Sequence, residues 1–339
     1  MTRSPFIRFD ASSAPSQRNT GDAAHIRRHR KRRRLAFAAV VLGVIAGLLA
    51  VNTVIVNDQA AAAVSSSGTV RVGGTALNVR EDGAVTAPAL VLIHGLGGSI
   101  HWWDAVTPVL AKAHYVIRID LLGHGRSAKP GGNQYSIPHQ ARLVGDVLTR
   151  LGITHAIVIG HSTGGYVATS LAEQRPLLVT ALVLIDTGPS MSAYISGGPT
   201  GNLLTTPVIG QLIWRLRTDF LLRQAMGSAF SRPGYRIPQR IIDDLSGMTY
   251  HALTATSLAS DMYIQQEPMP QRLKQVGKPL LVLYGADDHR WHPASYAQYS
   301  AVPGARIEAV PGVGHSPMLE DPAGTSSRIL AFVNPLEAR

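Results

Sequence analysis

The residues Gly-His-Ser-Thr-Gly at positions 160–164 place a serine between two glycines with the spacing Gly-x-Ser-x-Gly. This segment follows an apolar run at 156–159 and precedes a stretch typical of a helix at 166–173. Such a spacing is found where a strand turns sharply into a helix and lifts a serine hydroxyl above the edge of a sheet. Its glycines, together with Gly165, let the backbone bend and let helix and strand approach closely. We therefore predict that Ser162 is a nucleophile.

A histidine in a suitable loop could activate this serine. A serine hydroxyl is a weak nucleophile until a neighbouring base accepts its proton. His315 lies in the loop Gly-Val-Gly-His-Ser-Pro at 312–317, directly after a predicted strand at 306–310. That loop would lie at the same edge of the sheet as Ser162. We therefore predict that His315 is the base.

The base needs a carboxylate that orients its ring, and three aspartates are candidates. Asp186 ends the apolar run 181–185, whereas Asp287 and Asp288 follow the next run at 280–284. All three would lie near the carboxyl ends of neighbouring strands. These positions alone leave the three candidates open.

The tetrahedral intermediate of acyl transfer carries an oxyanion that must be stabilised by N–H donors. One donor is expected from Thr163, directly after the nucleophile and at the start of the following helix. The second is expected from the loop His-Gly-Leu-Gly-Gly at 94–98, where we select the backbone N–H of Leu96.

The elements that position these residues alternate between short apolar runs and helical segments. A hairpin is predicted at 69–80, and buried strands at 89–93, 115–120, 156–159, 181–185, 280–284 and 306–310. A helix is predicted over 137–151 with Ser136 as its cap. We expect an α/β architecture with a mostly parallel sheet and helices on both faces.

The alternation stops between residues 188 and 268, where amphipathic pieces at 210–227 and 238–248 predict helices but no strand. Insertions at the carboxyl ends of parallel strands tend to lie over the site. We therefore expect a helical lid at 188–268, and a core domain formed by 69–187 and 269–339.

The N-terminal 68 residues differ from the rest of the chain. Residues 1–34 carry ten basic and two acidic side chains, whereas the remaining residues carry 22 basic and 19 acidic ones. The net charge of +11 therefore belongs mainly to a tail, and we do not expect a nucleic-acid partner. Residues 35–56 contain no charge and are long enough to span a membrane. An Ala- and Ser-rich linker is expected at 57–68.

The basic cluster before residue 35 predicts a cytoplasmic tail and a catalytic domain outside the cytoplasm. A cleaved signal peptide is the alternative, because the alanines at 60–63 offer small-residue cleavage sites. That alternative predicts a secreted enzyme.

The composition restricts the chemistry further. The chain contains no cysteine, which excludes disulfides, a thiol nucleophile and thiolate metal sites. His289 and His292 have no further matching ligands, so we interpret them as loop residues. We expect no metal and no organic cofactor, because a catalytic triad of Ser162, His315 and an aspartate needs neither. Trp102 and Trp103 follow the oxyanion loop and are candidates either for lining a pocket or for packing.

Residues 69–335 resemble the lid-bearing α/β-hydrolase superfamily, which includes small-molecule esterases, meta-cleavage-product hydrolases, perhydrolases, epoxide hydrolases and haloalkane dehalogenases. Five segments carry the resemblance, in the right order: 94–98, 120–127, 160–164, 285–288, and 314–317 with Glu320 and Pro322. Dehalogenases and epoxide hydrolases have an aspartate where this chain has Ser162, so the serine argues against both activities.

The resemblance also selects the acid. The family pattern has a glycine, two variable residues and then the acid, which gives Asp288 when counted from Gly285. An acid at this position can turn inward towards the histidine, whereas Asp287, one residue earlier in a tight turn, would point elsewhere. The resulting order Ser162, Asp288, His315 is the order that this fold uses.

The resemblance implies hydrolysis of a small-molecule carboxylic ester through an acyl-enzyme. Two alternatives use the same triad: hydrolysis of a C–C bond in a vinylogous diketone, and perhydrolysis. A third, from a different class, is a non-enzymatic receptor for a small molecule, since some members of this fold act as receptors. Fold alone does not distinguish these activities.

Overall fold

The computed structural model describes residues 20–62, 68–196, 198–204, 206 and 208–337. Residues 1–19 of the predicted tail and 63–67 of the predicted linker lie outside the described residues. The chain divides into two compact units, residues 1–48 and 49–339.

Eight strands form one sheet in the order β1-β2-β4-β3-β5-β6-β7-β8. The first two strands join it as antiparallel neighbours, and every other pair is parallel. The predicted α/β fold with a mostly parallel sheet is therefore confirmed. The strands are β1 (Thr69–Val72), β2 (Thr75–Asp82), β3 (Ala89–Ile93), β4 (Tyr115–Ile119), β5 (Ala156–His161), β6 (Val179–Ile185), β7 (Leu280–Gly285) and β8 (Arg306–Val310).

Twelve α-helices lie within the described residues. They are α1 (Thr20–Ala62), α2 (Thr107–Leu110), α3 (Ile137–Arg150), α4 (Thr163–Gln174), α5 (Gly198–Leu204), α6 (Ile209–Arg215), α7 (Asp219–Met226), α8 (Gln239–Ser246), α9 (Tyr250–Gln266), α10 (Met269–Val276), α11 (Pro317–Glu320) and α12 (Pro322–Glu337). Short 3₁₀ turns lie at 100–103, 191–193, 227–229 and 293–301. Helix α3 begins as predicted, since the Ser136 side chain accepts a hydrogen bond from the His139 N–H.

The central strands are covered on both faces, which explains why their sequences are continuous apolar runs. All five residues of β4 and all six of β5 are buried. In β6, only Thr180 is exposed. Such strands cannot alternate between polar and apolar residues, because neither face meets water.

The segment between β6 and β7 is helical, as predicted, but its helices differ in detail. The amphipathic stretch 210–227 forms two helices, because α6 ends at Arg215 and α7 begins only at Asp219. Thr218 caps α7, with its side chain accepting a hydrogen bond from the Leu221 N–H. The longest helix of the segment, α9, was not predicted. It buries small polar residues such as Thr256 and Ser260, so its inner face lacks a clear apolar pattern.

Helix α1 contains the predicted apolar segment. An 18-residue window within the stretch Arg27–Val51 has a mean hydropathy of 2.4, and the helix is long and apolar enough there to cross a membrane. The helix continues to Ala62, so residues 57–62 are helical and not the flexible linker that we expected. The alanines at 60–62 explain the difference, since alanine has the highest helix propensity.

The burial of the central strands predicts where the fold is vulnerable. Leu182 lies on β6 with no exposed surface. Leu182→Ala should lower the free energy of unfolding by about 2 to 5 kcal/mol, because it removes apolar contacts and leaves a cavity. Urea denaturation followed by circular dichroism measures this change. Leu177→Ala is the matched control, since Leu177 is 85% exposed. Equal effects of the two substitutions would contradict this account of the core.

Candidate active site

Ser162 lies at the sharp turn between β5 and α4, as the glycine spacing predicts. Its φ of +50° is a conformation that residues other than glycine rarely adopt. The turn is possible because its neighbours lack side chains. A Cβ on Gly160 would overlap the backbone of Gly164, and one on Gly165 would overlap Thr187. The strained backbone projects the serine side chain over the carboxyl edge of the sheet.

His315 lies in the loop after β8 and joins two of the other predicted site residues. Its Nε2 is 3.0 Å from the Ser162 Oγ, and its Nδ1 is 2.9 Å from the Asp288 Oδ2. The ionised carboxylate can only accept, so Nδ1–H donates to Asp288 and Nε2 is free to accept the serine proton. His315 and Asp288 are almost fully buried. The three side chains therefore form a continuous hydrogen-bonded chain.

Asp288 is held as a carboxylate by donors on several sides. Its Oδ1 accepts the Arg290 N–H at 2.7 Å, and its Oδ2 also accepts the Tyr296 hydroxyl at 3.2 Å. Burial alone would raise the pKa of Asp288, but the charge and hydrogen bond of His315, together with the amide donors, lower it overall. The group is thus anionic at neutral pH and can stabilise a protonated imidazole.

The other two candidate acids form no hydrogen bond with the His315 ring. Asp287 is exposed at the turn. Asp186 is fully buried with a φ of +44°, and its Oδ1 accepts the Gly285 N–H at 2.9 Å. Burial, followed by the charge of Asp288, raises the pKa of Asp186 well above its ordinary value. This favours a neutral acid beside the anionic Asp288.

The residues of the two predicted oxyanion donors, Leu96 and Thr163, line the same cavity as Ser162 and His315. Thr163 is the first residue of α4, and Leu96 lies in the loop after β3. Neither backbone N–H donates a hydrogen bond to another residue within the part of the chain that the structure describes. Both are therefore available to a ligand oxygen in the cavity.

His161, which sequence reasoning did not assign a role, supports the loop that carries His315. Its Nε2 is 2.7 Å from the His315 carbonyl oxygen, to which it donates. Its ring also contacts the rings of His315 and Trp102, at centroid distances of 5.1 and 5.2 Å. Burial, and to a lesser extent the nearby His315, lowers the pKa of His161 well below its ordinary value. The neutral ring is thus a fixed donor and not a second base.

Two further carboxylates organise the loops around the site. Glu320 is buried, and it accepts the N–H groups of Gly314, at 2.9 Å, and of Ser231 and Arg232, at 2.8 and 2.6 Å. It therefore joins the loop of His315 to the helical insertion. Asp120 accepts the Ile100 N–H at 2.7 Å and so fixes the segment that follows the oxyanion loop. The sequence motifs included both residues, but their partners are distant in sequence.

The cavity above Ser162 has a volume of about 330 Å³. Residues of the helical insertion form much of its lining, which is mainly apolar; examples are Trp214, Met226, Leu245 and Leu253. Of the two candidate tryptophans, Trp102 lines the cavity and Trp103 is buried in the core. A cavity of this size and character suits a small organic molecule.

Asp186, Asp288 and His315 bring possible metal-ligand atoms within 4.8 Å of one another. Both ring nitrogens of His315 are already hydrogen-bonded, to Ser162 and to Asp288. The arrangement thus matches proton transfer between side chains. It would have to rearrange before His315 could bind a cation.

Comparison with known proteins is consistent with this geometry. Residues 90–328 match the alpha/beta hydrolase family. An uncharacterized protein of Mycobacterium tuberculosis is 31% identical over 272 residues, which cover 75% of this chain and 77% of that protein. Among solved structures, a membrane phospholipase A described as a bacterial virulence factor superposes with a TM-score of 0.67 at 24% identity, covering 91% of this chain and 100% of its own. A thermophilic esterase from Thermogutta terrifontis superposes with a TM-score of 0.66 at 21% identity, covering 79% of this chain and 97% of its own.

The geometry around His315 predicts which carboxylate matters. Asp288→Asn should lower kcat by about 10⁴, because an amide favours the wrong tautomer of the imidazole. Asp186→Asn is the matched control and should lower kcat by less than about tenfold, since a neutral acid and an amide both accept the Gly285 N–H. Steady-state kinetics with a short-chain p-nitrophenyl ester measures both. If Asp186→Asn abolished turnover while Asp288→Asn left kcat nearly unchanged, the acid would be reassigned to Asp186.

Proposed function

Because the chain belongs to the alpha/beta hydrolase family, we propose that it is a serine hydrolase that cleaves carboxylic esters of small or amphipathic molecules. The observation that carries this proposal is the hydrogen-bonded chain from Ser162 through His315 to Asp288, which opens into an apolar cavity. The esterase and the phospholipase A among its structural neighbours are in keeping with ester chemistry.

In the acylation step, the Ser162 oxygen attacks the ester carbonyl while His315 Nε2 takes the hydroxyl proton. The imidazolium that forms is stabilised by the Asp288 carboxylate on its other nitrogen. The N–H groups of Leu96 and Thr163 bind the oxyanion, and the N-terminus of α4 adds to this stabilisation. His315 then protonates the leaving alcohol as the intermediate collapses to an acyl-enzyme.

In the deacylation step, water takes the place of the alcohol. His315 removes its proton, the resulting hydroxide attacks the acyl carbon, and the same two N–H groups bind the second oxyanion. The Ser162 oxygen leaves with the proton from His315, which releases the acid and restores the enzyme. Every group is in place beforehand, so little reorganisation is needed in either step.

The helical insertion at 188–268 acts as a lid in this proposal. It supplies much of the cavity lining, and Glu320 joins it to the loop that carries His315. The insertion also carries most of the exposed large apolar side chains described in residues 68–337: Tyr194, Ile195, Leu203, Val208, Ile209, Leu212, Leu216, Phe220, Leu258 and Met262, compared with Val85, Val109 and Leu177 elsewhere. An apolar outer surface beside the cavity favours amphipathic substrates.

The N-terminal helix anchors the enzyme in a membrane, with the basic tail in the cytoplasm and the catalytic domain outside. The apolar window within Arg27–Val51 supports this, and the arginines before residue 35 support the orientation. From the span to Ala62 the helix rises about 16 Å. Residues 63–68 add at most about 22 Å. The active site therefore operates within reach of the bilayer surface.

The proposed nucleophile is tested by Ser162→Ala, which should lower ester turnover by about 10⁴ or more, since no other group can form the acyl-enzyme. Its melting temperature should stay close to that of the wild type, because the change removes one oxygen. Ser257→Ala is the matched control, as Ser257 also lines the cavity. Retention of more than a few per cent of the activity by Ser162→Ala would refute the assignment.

The anchor is tested by fractionation. Full-length protein should sediment with membranes and resist carbonate extraction, with its catalytic domain open to external protease. A chain starting at residue 65 should be soluble and active, because every proposed catalytic group lies after that point. Recovery of a natural soluble form that begins between residues 61 and 67 would instead establish signal cleavage and secretion.

A further inference from the structure

Arg290 is the only lysine or arginine that lines the cavity among the described residues. It lies two residues after Asp288, in the turn that follows β7. Its backbone is held firmly: its N–H donates to Asp288 at 2.7 Å, and its carbonyl accepts the Ile195 N–H at 2.8 Å. The ring of the next residue, Trp291, packs against that of Tyr194. The cation is thus carried by a fixed piece of backbone at the wall of the cavity.

The guanidinium group uses few of its donors. An arginine side chain has five N–H donors. In the described part of the chain, only the Nε–H of Arg290 finds an acceptor, the Ser228 Oγ at 3.3 Å. No carboxylate of the described residues lies within ion-pairing distance of it. The four hydrogens on its two Nη atoms therefore remain available.

This charge is only partly exposed and lies close to the proposed triad. Burial lowers the pKa of Arg290, and the charge of Asp288 opposes this change. An arginine nevertheless stays protonated in proteins. Its charge also acts on the neighbouring Tyr194, because it counteracts part of the rise that burial causes in the pKa of that tyrosine. A partly buried cation without a counter-ion is unfavourable unless a ligand completes it.

We propose that Arg290 is a specificity residue that binds an anionic group, a carboxylate or a phosphate, on the ester substrate. The planar fork of a guanidinium matches the oxygen atoms of both groups through paired hydrogen bonds. The cavity around it is mainly apolar, which strengthens such a pair by excluding water. This inference rests on the proposed function, because it names the substrate class of that site: esters that carry a negative charge beside an apolar chain.

Asp261, the one acidic residue of the lining, does not neutralise this cation. Its side chain is exposed, whereas that of Arg290 is partly buried, and no ion pair joins the two within the described residues. Burial raises the pKa of Asp261, and water screens the exposed part of its carboxylate, so it attracts the guanidinium only weakly. A bound anion would therefore meet Arg290 as its direct partner.

The test compares esters that differ in charge but hardly in size. The first pair is p-nitrophenyl hemiglutarate and p-nitrophenyl hexanoate, with the charge on the acyl side. The second pair, 4-acetoxybenzoate and its methyl ester, carries the charge on the alcohol side. The ratio of kcat/KM within each pair is measured for full-length protein in detergent and for Arg290→Gln, Arg290→Lys and Arg236→Gln. Arg236 is exposed and does not line the cavity, so Arg236→Gln is the control for loss of one charge.

Wild-type enzyme should prefer the charged ester in at least one pair. Arg290→Gln should lower that preference about 10- to 100-fold, the range expected for a hydrogen bond between charged groups. Arg290→Lys should restore part of it, and Arg236→Gln should leave it unchanged. If Arg290 only supported Asp288, Arg290→Gln would instead lower kcat/KM equally for both esters of a pair. That result, or a wild type without preference for charge, would overturn the inference.

Binding without turnover separates this inference from the proposed function. Glutarate and glycerol 3-phosphate should raise the melting temperature of the wild type but not of Arg290→Gln, and the stronger of the two identifies the preferred anion. Equal shifts in both proteins, or none in either, would refute the anion site. Turnover of the neutral esters with no anion effect would leave the esterase proposal standing and remove this one. Anion binding without any ester turnover would leave the anion site at Arg290 in place and refute the esterase proposal.

Discussion

The hydrogen-bonded chain from Ser162 Oγ to His315 and on to Asp288 is the constraint on which the rest of the structure depends. Its members follow three different strands, β5, β7 and β8, and are separated by up to 153 positions in sequence. Parallel strands bring their carboxyl ends to the same edge, and the side chains of the following turns can therefore meet there. The buried apolar strands fix the position of this edge and thereby of the three turns that carry the side chains.

The environment of these hydrogen-bonded side chains gives residues of the same type different protonation states. Asp288 is anionic because His315 and several donors stabilise its charge, while Asp186, with one donor and an anionic neighbour, is favoured as a neutral acid. His161 is kept neutral by burial and serves as a donor to the His315 backbone. Of the two histidines, His315 is therefore left as the base, and of the two aspartates, Asp288 is left as the anion. Their environments, and not their residue types, determine the roles that we propose.

Much of the fold could be predicted because buried parallel strands leave a clear pattern of continuous apolar runs. The position of Ser162 was predictable from the glycines, which the tight turn requires, whereas Asp288 was selected from three aspartates only through the resemblance to the lid-bearing α/β-hydrolases. Other features depend on contacts between distant residues. The inner face of α9 buries Thr256 and Ser260, which a hydrophobic pattern does not reveal. Two such features are the hydrogen bond from His161 to the His315 carbonyl and the guanidinium of Arg290, which forms no ion pair within the described residues.

The central claim is that Ser162 is activated by its two partners to form a covalent acyl-enzyme. A fluorophosphonate probe reports this directly, since it reacts with a serine only when a base and oxyanion donors are in place. Mass spectrometry of the digested protein should locate one adduct per chain, on the peptide that contains Ser162. Labelling should disappear in Ser162→Ala. An adduct on a different residue, or efficient ester turnover by a protein that the probe does not label, would contradict the account.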